Sequence, residues 1–298
     1  MEYQANLKAS QEFLLQLFRK SATPEAMNWL MQKQELLTAA ASDKDLYLAF
    51  SSAPRFVGKT PLQLEETDLQ QASQLREGFN PTRWTTDQAA RTLLLLSGPH
   101  DDEKAFAGKL AKLFNTADMG ELVALYASLP LLPHPRAFVK QAAEGVRTNM
   151  GNVFEAIALD NPYPADYFEE GAWNQMVLKT VFVGKPLYRI YGLEKRSNPT
   201  LARILSDYAH ERWAAGRSVT PELWRPVGPF IDERIIEDIK RLFAHPDAIQ
   251  HEAAALACAQ GSYIPARELL ENYPDLKKQV ETGELNWSLI GNKALTQN

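Results

Sequence analysis

Apolar residues recur along most of the chain at spacings of three and four positions, which is the period of an amphipathic α-helix. In the segment LKASQEFLLQLFRK, the leucines and phenylalanines fall on one helical face. Thr23 followed by Pro24 and Glu25 predicts the start of the next helix, with the threonine as its N-cap. No segment alternates with period two for long enough to predict a sheet. The pattern therefore predicts an all-α protein.

Two stretches of the chain, KLFNTADMGELVA at 112–124 and RLFAHPDAIQHEA at 241–253, share Leu, Phe, Asp and Ala at matching positions. Each joins two amphipathic segments through a short turn that contains aspartate, as HEAT-like helical hairpins do. We expect an irregular helical-hairpin array, a HEAT-like α-solenoid, with a helical bundle as the alternative. All 298 residues would form a single helical domain, or would divide into 1–80 and 81–298.

Composition and charge narrow the classes of function. The net charge of -5 at pH 7 gives the chain no surplus of positive charge for nucleic-acid phosphates. Its apolar runs are far shorter than the roughly 20 residues that span a bilayer, and its polar N-terminus does not resemble a signal peptide. The one cysteine, Cys258, cannot form an internal disulfide, and its apolar surroundings predict a core position. We therefore expect a soluble, cytoplasmic protein with no nucleic-acid partner.

The stretch GVRTNMGNVFEAIALDNPYPADYF carries polar residues in an unusual place. Drawn as one continuous helix, its first half puts Thr148, Asn152 and Glu155 on one face, flanked by Arg147 and Asn149. Asparagine inside a helix costs several tenths of a kcal/mol relative to alanine, so a solvated face gains nothing from it. An amide that donates and accepts hydrogen bonds suits a hydroxylated ligand or a neighbouring backbone. A binding face and a plain solvent-exposed face are the two alternatives.

More polar residues follow in the next two segments. Asp160 and Asn161 precede a proline and predict the end of a helix, where turn formation and a functional role are both open. Asn174 and Lys179 interrupt an otherwise apolar helix. A buried lysine would need a partner carboxylate, for which Glu155 and Asp160 are candidates, or would lose its proton. Partial exposure of the lysine is the simpler alternative.

His210 shares a predicted helical face with Arg203 and Asp207. Aspartate beside histidine occurs in acid–base sites and behind metal ligands, and equally on ordinary protein surfaces. The chain has no HExxH zinc motif, no GxSxG motif and no glycine-rich phosphate loop, and VGKT at 57–60 lacks the leading glycine of a Walker motif. We therefore assign no catalytic residue, no metal site and no cofactor.

Three segments, RTNMGNVFEAIALDNPYP, WNQMVLK and DYAHERWAAGR, resemble the EboA-domain family. The resemblance covers roughly residues 84–260, within the helical region 81–298. Members of that family are encoded beside a membrane prenyltransferase, a TatD-like hydrolase and sugar-phosphate-type enzymes. The resemblance therefore implies a part in making or moving a small metabolite across the cytoplasmic membrane. It supplies no catalytic residue.

The resemblance leads us to expect a non-catalytic helical binding or scaffold protein that supports synthesis or transport of a small secondary metabolite from a prenyltransferase-containing gene cluster. Its partners would be a small hydroxylated or prenylated metabolite or proteins of the same cluster, with peripheral membrane association as a further option. One alternative is an enzyme of the same pathway that acts on an isoprenoid or cyclitol-type intermediate by acid–base chemistry. Another is an interaction scaffold without a ligand site. The candidate ligand-binding residues are Arg147, Asn149, Asn152, Glu155, Asp160, Asn161, Asn174, Lys179 and His210.

Overall fold

The computed structural model describes residues 6–39 and 42–296. Most of these residues lie in helices. The prediction of an all-α fold is confirmed, because these residues form no strand and only an isolated bridge between Pro61 and Thr85. Among them, no helix is both long and apolar enough to cross a membrane. The chain divides into two compact units, Met1–Phe168 and Glu169–Asn298. We call them the N-terminal and the C-terminal unit.

Local sequence sets the ends of several helices in the N-terminal unit. The Thr23 hydroxyl accepts a hydrogen bond from the Ala26 N–H at 3.2 Å, which confirms the predicted N-cap of the second helix. The helices are α1 (Leu7–Ser21), α2 (Pro24–Thr38), α3 (Asp43–Val57), α4 (Glu66–Leu75), α5 (Thr86–Ser97), α6 (Glu103–Thr116), α7 (Met119–Ser128), α8 (Val139–Gly145), α9 (Gly151–Ala158) and α10 (Tyr163–Tyr167), with 3-10 helices at Leu129–Leu131 and Pro135–Phe138.

Helix α5 forms the centre of the N-terminal unit and packs against α1, α2, α3 and α7. Every residue of α5 from Thr86 to Leu96 is buried, and this run includes the ion pair between Asp87 and Arg91. A helix enclosed by four others is typical of a bundle, whereas each hairpin of a solenoid contacts only its neighbours in sequence. The N-terminal unit therefore has the architecture of a bundle with α5 as its core.

The C-terminal unit also consists of helices joined by short turns. Its α-helices are α11 (Glu170–Phe182), α12 (Leu193–Arg196), α13 (Pro199–Ala214), α14 (Ile235–Phe243), α15 (Ala248–Gln260), α16 (Ile264–Glu271), α17 (Pro274–Glu281) and α18 (Trp287–Thr296), with 3-10 helices at Leu187–Arg189, Pro221–Trp224 and Gly228–Phe230.

Helix α15 forms the centre of the C-terminal unit and packs against α14, α16, α17 and α18. Its buried residues from Ala253 to Cys258 are mostly alanine, so neighbouring backbone can approach closely. A Cβ atom on Gly228 would lie 2.8 Å from the Ala257 Cα, and the glycine at 228 is required by this approach. Cys258 is fully buried, which confirms its predicted core position.

The predicted solenoid is not confirmed. The two aligned stretches fall on the pairs α6–α7 and α14–α15. Helix α14 packs extensively on α15, whereas α6 has more contact with the 3-10 helix Pro135–Phe138 than with α7. The two pairs are therefore not copies of one structural repeat, and the short sequence likeness reflects similar turns between amphipathic helices.

Candidate functional site

The polar stretch that the sequence predicted as one helix is interrupted, which corrects that prediction. Helix α8 ends at Gly145 and α9 begins at Gly151. Between them, the Thr148 hydroxyl accepts a hydrogen bond from the Met150 N–H at 3.1 Å, a local turn that competes with the helix. Asn152 is the second residue of α9 and not an interior one. The expected energetic penalty of a mid-helix asparagine therefore does not apply to it.

Three candidate side chains of this stretch are exposed to solvent. Arg147 forms an ion pair with Glu144 at 3.0 Å, with both side chains more than half exposed, so the pair contributes little to stability. The amides of Asn149 and Asn152 are exposed and make no hydrogen bond to any residue that the structure describes. Glu155 is half-buried on α9. Among the candidate side chains of the stretch, those of Asn149 and Asn152 are thus the ones without a hydrogen bond to a described residue.

The amide of Asn161 is engaged in the protein interior. Its Nδ2 donates to the Tyr126 carbonyl at 3.1 Å and to the Ala156 carbonyl at 2.8 Å, and its Oδ1 accepts from the Tyr163 N–H at 3.0 Å. These bonds close the turn after α9, the structural alternative foreseen from the sequence. The preceding Asp160 has a φ of 55°, in the left-handed region that aspartate tolerates better than most residues.

Asn174 connects two helices of the C-terminal unit. It exchanges two hydrogen bonds with Asn198, at 3.2 and 2.9 Å, and Asn198 also caps α13 by accepting from the Leu201 N–H at 2.8 Å. The amide pair thus fixes α11 at the beginning of α13. Lys179, five residues further along α11, is half-buried, and this burial lowers the pKa of its ammonium group.

The carboxylate partner of His210 is Asp238 on α14, and not Asp207 on its own helix. The His210 Nε2 lies 2.5 Å from the Asp238 Oδ1, and the Ser206 hydroxyl donates to the Asp238 Oδ2 at 2.6 Å. Asp207 forms an ion pair with Arg234 instead. Spacing along one helix could not reveal this arrangement, because the buried Asp238 reaches His210 only through the packing of α14 beside α13.

The His210 ring is held at one nitrogen and open at the other. Its side chain is 42% exposed, whereas that of Asp238 is 6% exposed. Since Nε2 faces the carboxylate, Nδ1 has no partner in the part of the chain that the structure describes. The hydrogen-bond network assigns the proton of the neutral ring to Nε2, so that Nδ1 can accept a hydrogen bond.

Aromatic side chains support the histidine. The Trp213 ring lies 5.8 Å from the His210 ring, and the buried Trp224 stacks on Trp213 at 5.8 Å with an interplanar angle of 19°. The Arg241 guanidinium lies 4.3 Å from the centroid of the Trp213 ring. Neither tryptophan nor Arg241 was predicted as a site residue. The spacing from His210 to Trp213 on α13 was the signal that could have identified Trp213.

The predicted ligand-binding residues are divided between the two units. Those in the C-terminal unit do not form one cluster. Asn174 binds Asn198 at the start of α13, and His210 follows Asn198 by twelve residues, about 18 Å along a helix. No group of three potential metal ligands occurs within residues 6–39 and 42–296. The N-terminal unit contains Arg147, Asn149, Asn152, Glu155, Asp160 and Asn161, and the C-terminal unit contains Asn174, Lys179 and His210.

The fold and these sites define an all-helical protein in which three of the candidate residues have unbonded polar groups within the described part of the chain: the exposed amides of Asn149 and Asn152, and His210, whose ring is oriented by a buried carboxylate. The model of the family described as metabolite traffic protein EboA matches residues 10–228, and the chain belongs to this family. The match begins before the region of resemblance at 84–260 and ends before α14, so it includes His210 but not Asp238. No curated protein and no solved structure matches the chain.

Proposed function

We propose that this protein is a non-catalytic helical binding protein that supports the synthesis or transport of a small secondary metabolite in the pathway of a prenyltransferase-containing gene cluster. Membership of a family of metabolite traffic proteins supports a role in metabolite handling. The observation that carries the binding role is the pair of exposed, unbonded amides of Asn149 and Asn152 at the start of α9. The ligand that fits them is a small hydroxylated metabolite.

The chemistry of this surface suits a hydroxylated ligand for two reasons. Each amide offers both a donor and an acceptor, which is what a hydroxyl group needs. The Met150 carbonyl accepts from the N–H groups of Val153 and Phe154, whereas the N–H groups of Gly151 and Asn152 have no acceptor among the residues that the structure describes. Gly151 lies between the amides, and a Cβ atom there would meet nothing within 4 Å. A ligand can therefore approach both the side chains and the backbone.

A comparison of the full-length wild type with an Asn149→Ala/Asn152→Ala variant tests the proposal. Both are screened by thermal shift against fractions of a small-molecule extract from cells that express the gene cluster. A fraction that saturates the wild type should raise its melting temperature by roughly 5 °C, and should leave the variant unchanged.

The matched control carries the same change at two other exposed asparagines of the N-terminal unit, Asn28 and Asn115. This variant should respond to the active fraction as the wild type does. Equal shifts for the wild type and the Asn149→Ala/Asn152→Ala variant would show that the amides do not contact the ligand.

A further inference from the structure

A second polar surface lies on α13 and α14, and we propose that it binds the carboxylate group of a small organic acid. Arg241 and His210 supply the groups that contact the ligand, and both lie against the indole of Trp213. The surface belongs to the C-terminal unit and does not depend on the amides around α9. The two proposals can therefore fail separately.

Arg241 presents an oriented positive charge that no protein carboxylate neutralises. Its guanidinium is exposed and lies 4.3 Å from the centroid of the Trp213 ring, and it has no ion pair among the residues that the structure describes. Neighbouring cations differ in this respect, because Arg234 pairs with Asp207 and Lys240 pairs with Glu237. Cation–π packing holds the guanidinium plane in place and leaves its N–H groups for an external acceptor.

His210 supplies the second contact. Its ring is oriented by Asp238 through Nε2 and lies 5.8 Å from the Trp213 ring, over which Arg241 also packs. The ring and the guanidinium are no more than about 10 Å apart, the two distances to Trp213 taken together. When His210 is protonated, Nε2–H donates to Asp238 and Nδ1–H donates outward. In the proposed complex, one carboxylate accepts from both residues.

Charge selects the class of anion. Protonated His210 and Asp238 cancel each other, so the single positive charge of Arg241 remains. A singly charged carboxylate matches that charge, and its two oxygens suit the fork of N–H groups on a guanidinium. A phosphate dianion would keep an excess negative charge. The fully buried Trp224 stacks on Trp213 and supports the indole that both contact residues lie against.

Titration of the full-length protein with benzoate tests this site by NMR of the tryptophan N–H and histidine ring signals. Benzoate should shift the signals of Trp213 and His210 in the wild type. Arg241→Gln should raise the dissociation constant for benzoate about tenfold, because it removes a charged hydrogen-bond donor. Because Arg241 is exposed and forms no ion pair or hydrogen bond with a residue that the structure describes, this variant should retain the wild-type fold.

The matched control is Arg203→Gln, because Arg203 is exposed on α13 and has no ion pair within the described part of the chain. It should change the dissociation constant by less than twofold. His210→Gln should weaken benzoate binding several-fold. Inorganic phosphate should bind more weakly than benzoate. Equal affinities of the wild type and Arg241→Gln, an equal loss in Arg203→Gln, or tighter binding of phosphate would each overturn the proposal.

Discussion

Replacing Asp87 by alanine should destabilise the N-terminal unit far more than the loss of an ordinary surface ion pair. Asp87 and Arg91 are 3% and 1% exposed, and the ion pair that joins them measures 2.8 Å. The Thr85 hydroxyl also donates to Asp87 at 2.5 Å, and the Arg91 Nε donates to the Phe50 carbonyl at 3.0 Å. In the alanine variant, the buried guanidinium keeps the carbonyl but loses its paired carboxylate.

The expected loss follows from desolvation. Burial already lowers the pKa of Arg91, since its charged form is poorly hydrated in the folded protein. Removing one partner of a buried pair typically costs about 3–5 kcal/mol. The exposed pair Lys8–Glu12 has the same spacing along a helix, with side chains 87% and 69% exposed. Glu12→Ala should therefore cost less than about 0.5 kcal/mol.

Urea unfolding followed by far-ultraviolet circular dichroism measures these losses. A double variant, Asp87→Ala/Arg91→Met, removes both buried charges and should be more stable than Asp87→Ala alone. The reasoning is refuted if Asp87→Ala is as stable as Glu12→Ala. It is also refuted if the double variant is no more stable than the single one, because an unpaired buried charge would then not be the cause.

Two further predictions concern close packing and a buried thiol. Gly145→Ala should lower the free energy of unfolding by about 1–3 kcal/mol, because its Cβ would lie 2.5 Å from the hydroxyl oxygen of the buried Tyr126. The same change at Gly108, which has no neighbour within 4 Å, should be neutral or stabilising in the same urea assay. Burial raises the pKa of the Cys258 thiol to about 12, so Ellman's reagent should label it only in unfolded protein. The neutral thiol stabilises the fold fully below its ordinary pKa of 9.0, and this stability is lost as pH rises towards about 12. Cys258→Ala should therefore weaken the loss of stability at alkaline pH. Rapid labelling of the native protein would contradict the buried position of the thiol.

Local signals in the sequence were sufficient for the helices and for some of their ends. The N-cap Thr23 lies where capping preferences predicted it. The interruption between α8 and α9 was missed because it depends on weak helix formers and on contacts distant in sequence. Gly145, for example, is required by Tyr126, nineteen residues earlier in the chain.

The candidate sites were less predictable because they depend on which polar groups the protein itself bonds. Asn161 and Asn174 have the same chemistry as Asn149 and Asn152, yet only the first two are buried and bonded. Periodicity places a residue on a helical face but does not identify what packs against that face. For the same reason, the spacing of His210 and its neighbours on α13 could not indicate that Asp238 approaches from another helix.

The position of α5 at the centre of its unit has a consequence for synthesis on the ribosome. Three of the helices that enclose it, α1, α2 and α3, leave the ribosome first, and α3 ends at Val57 while α5 ends at Ser97. At roughly 5–20 residues per second, the interval is about 2–8 s. During this time the nascent chain displays three apolar helix faces without the helix that covers them. Nascent chains that stop before Ser97 are therefore the ones we expect chaperones to retain.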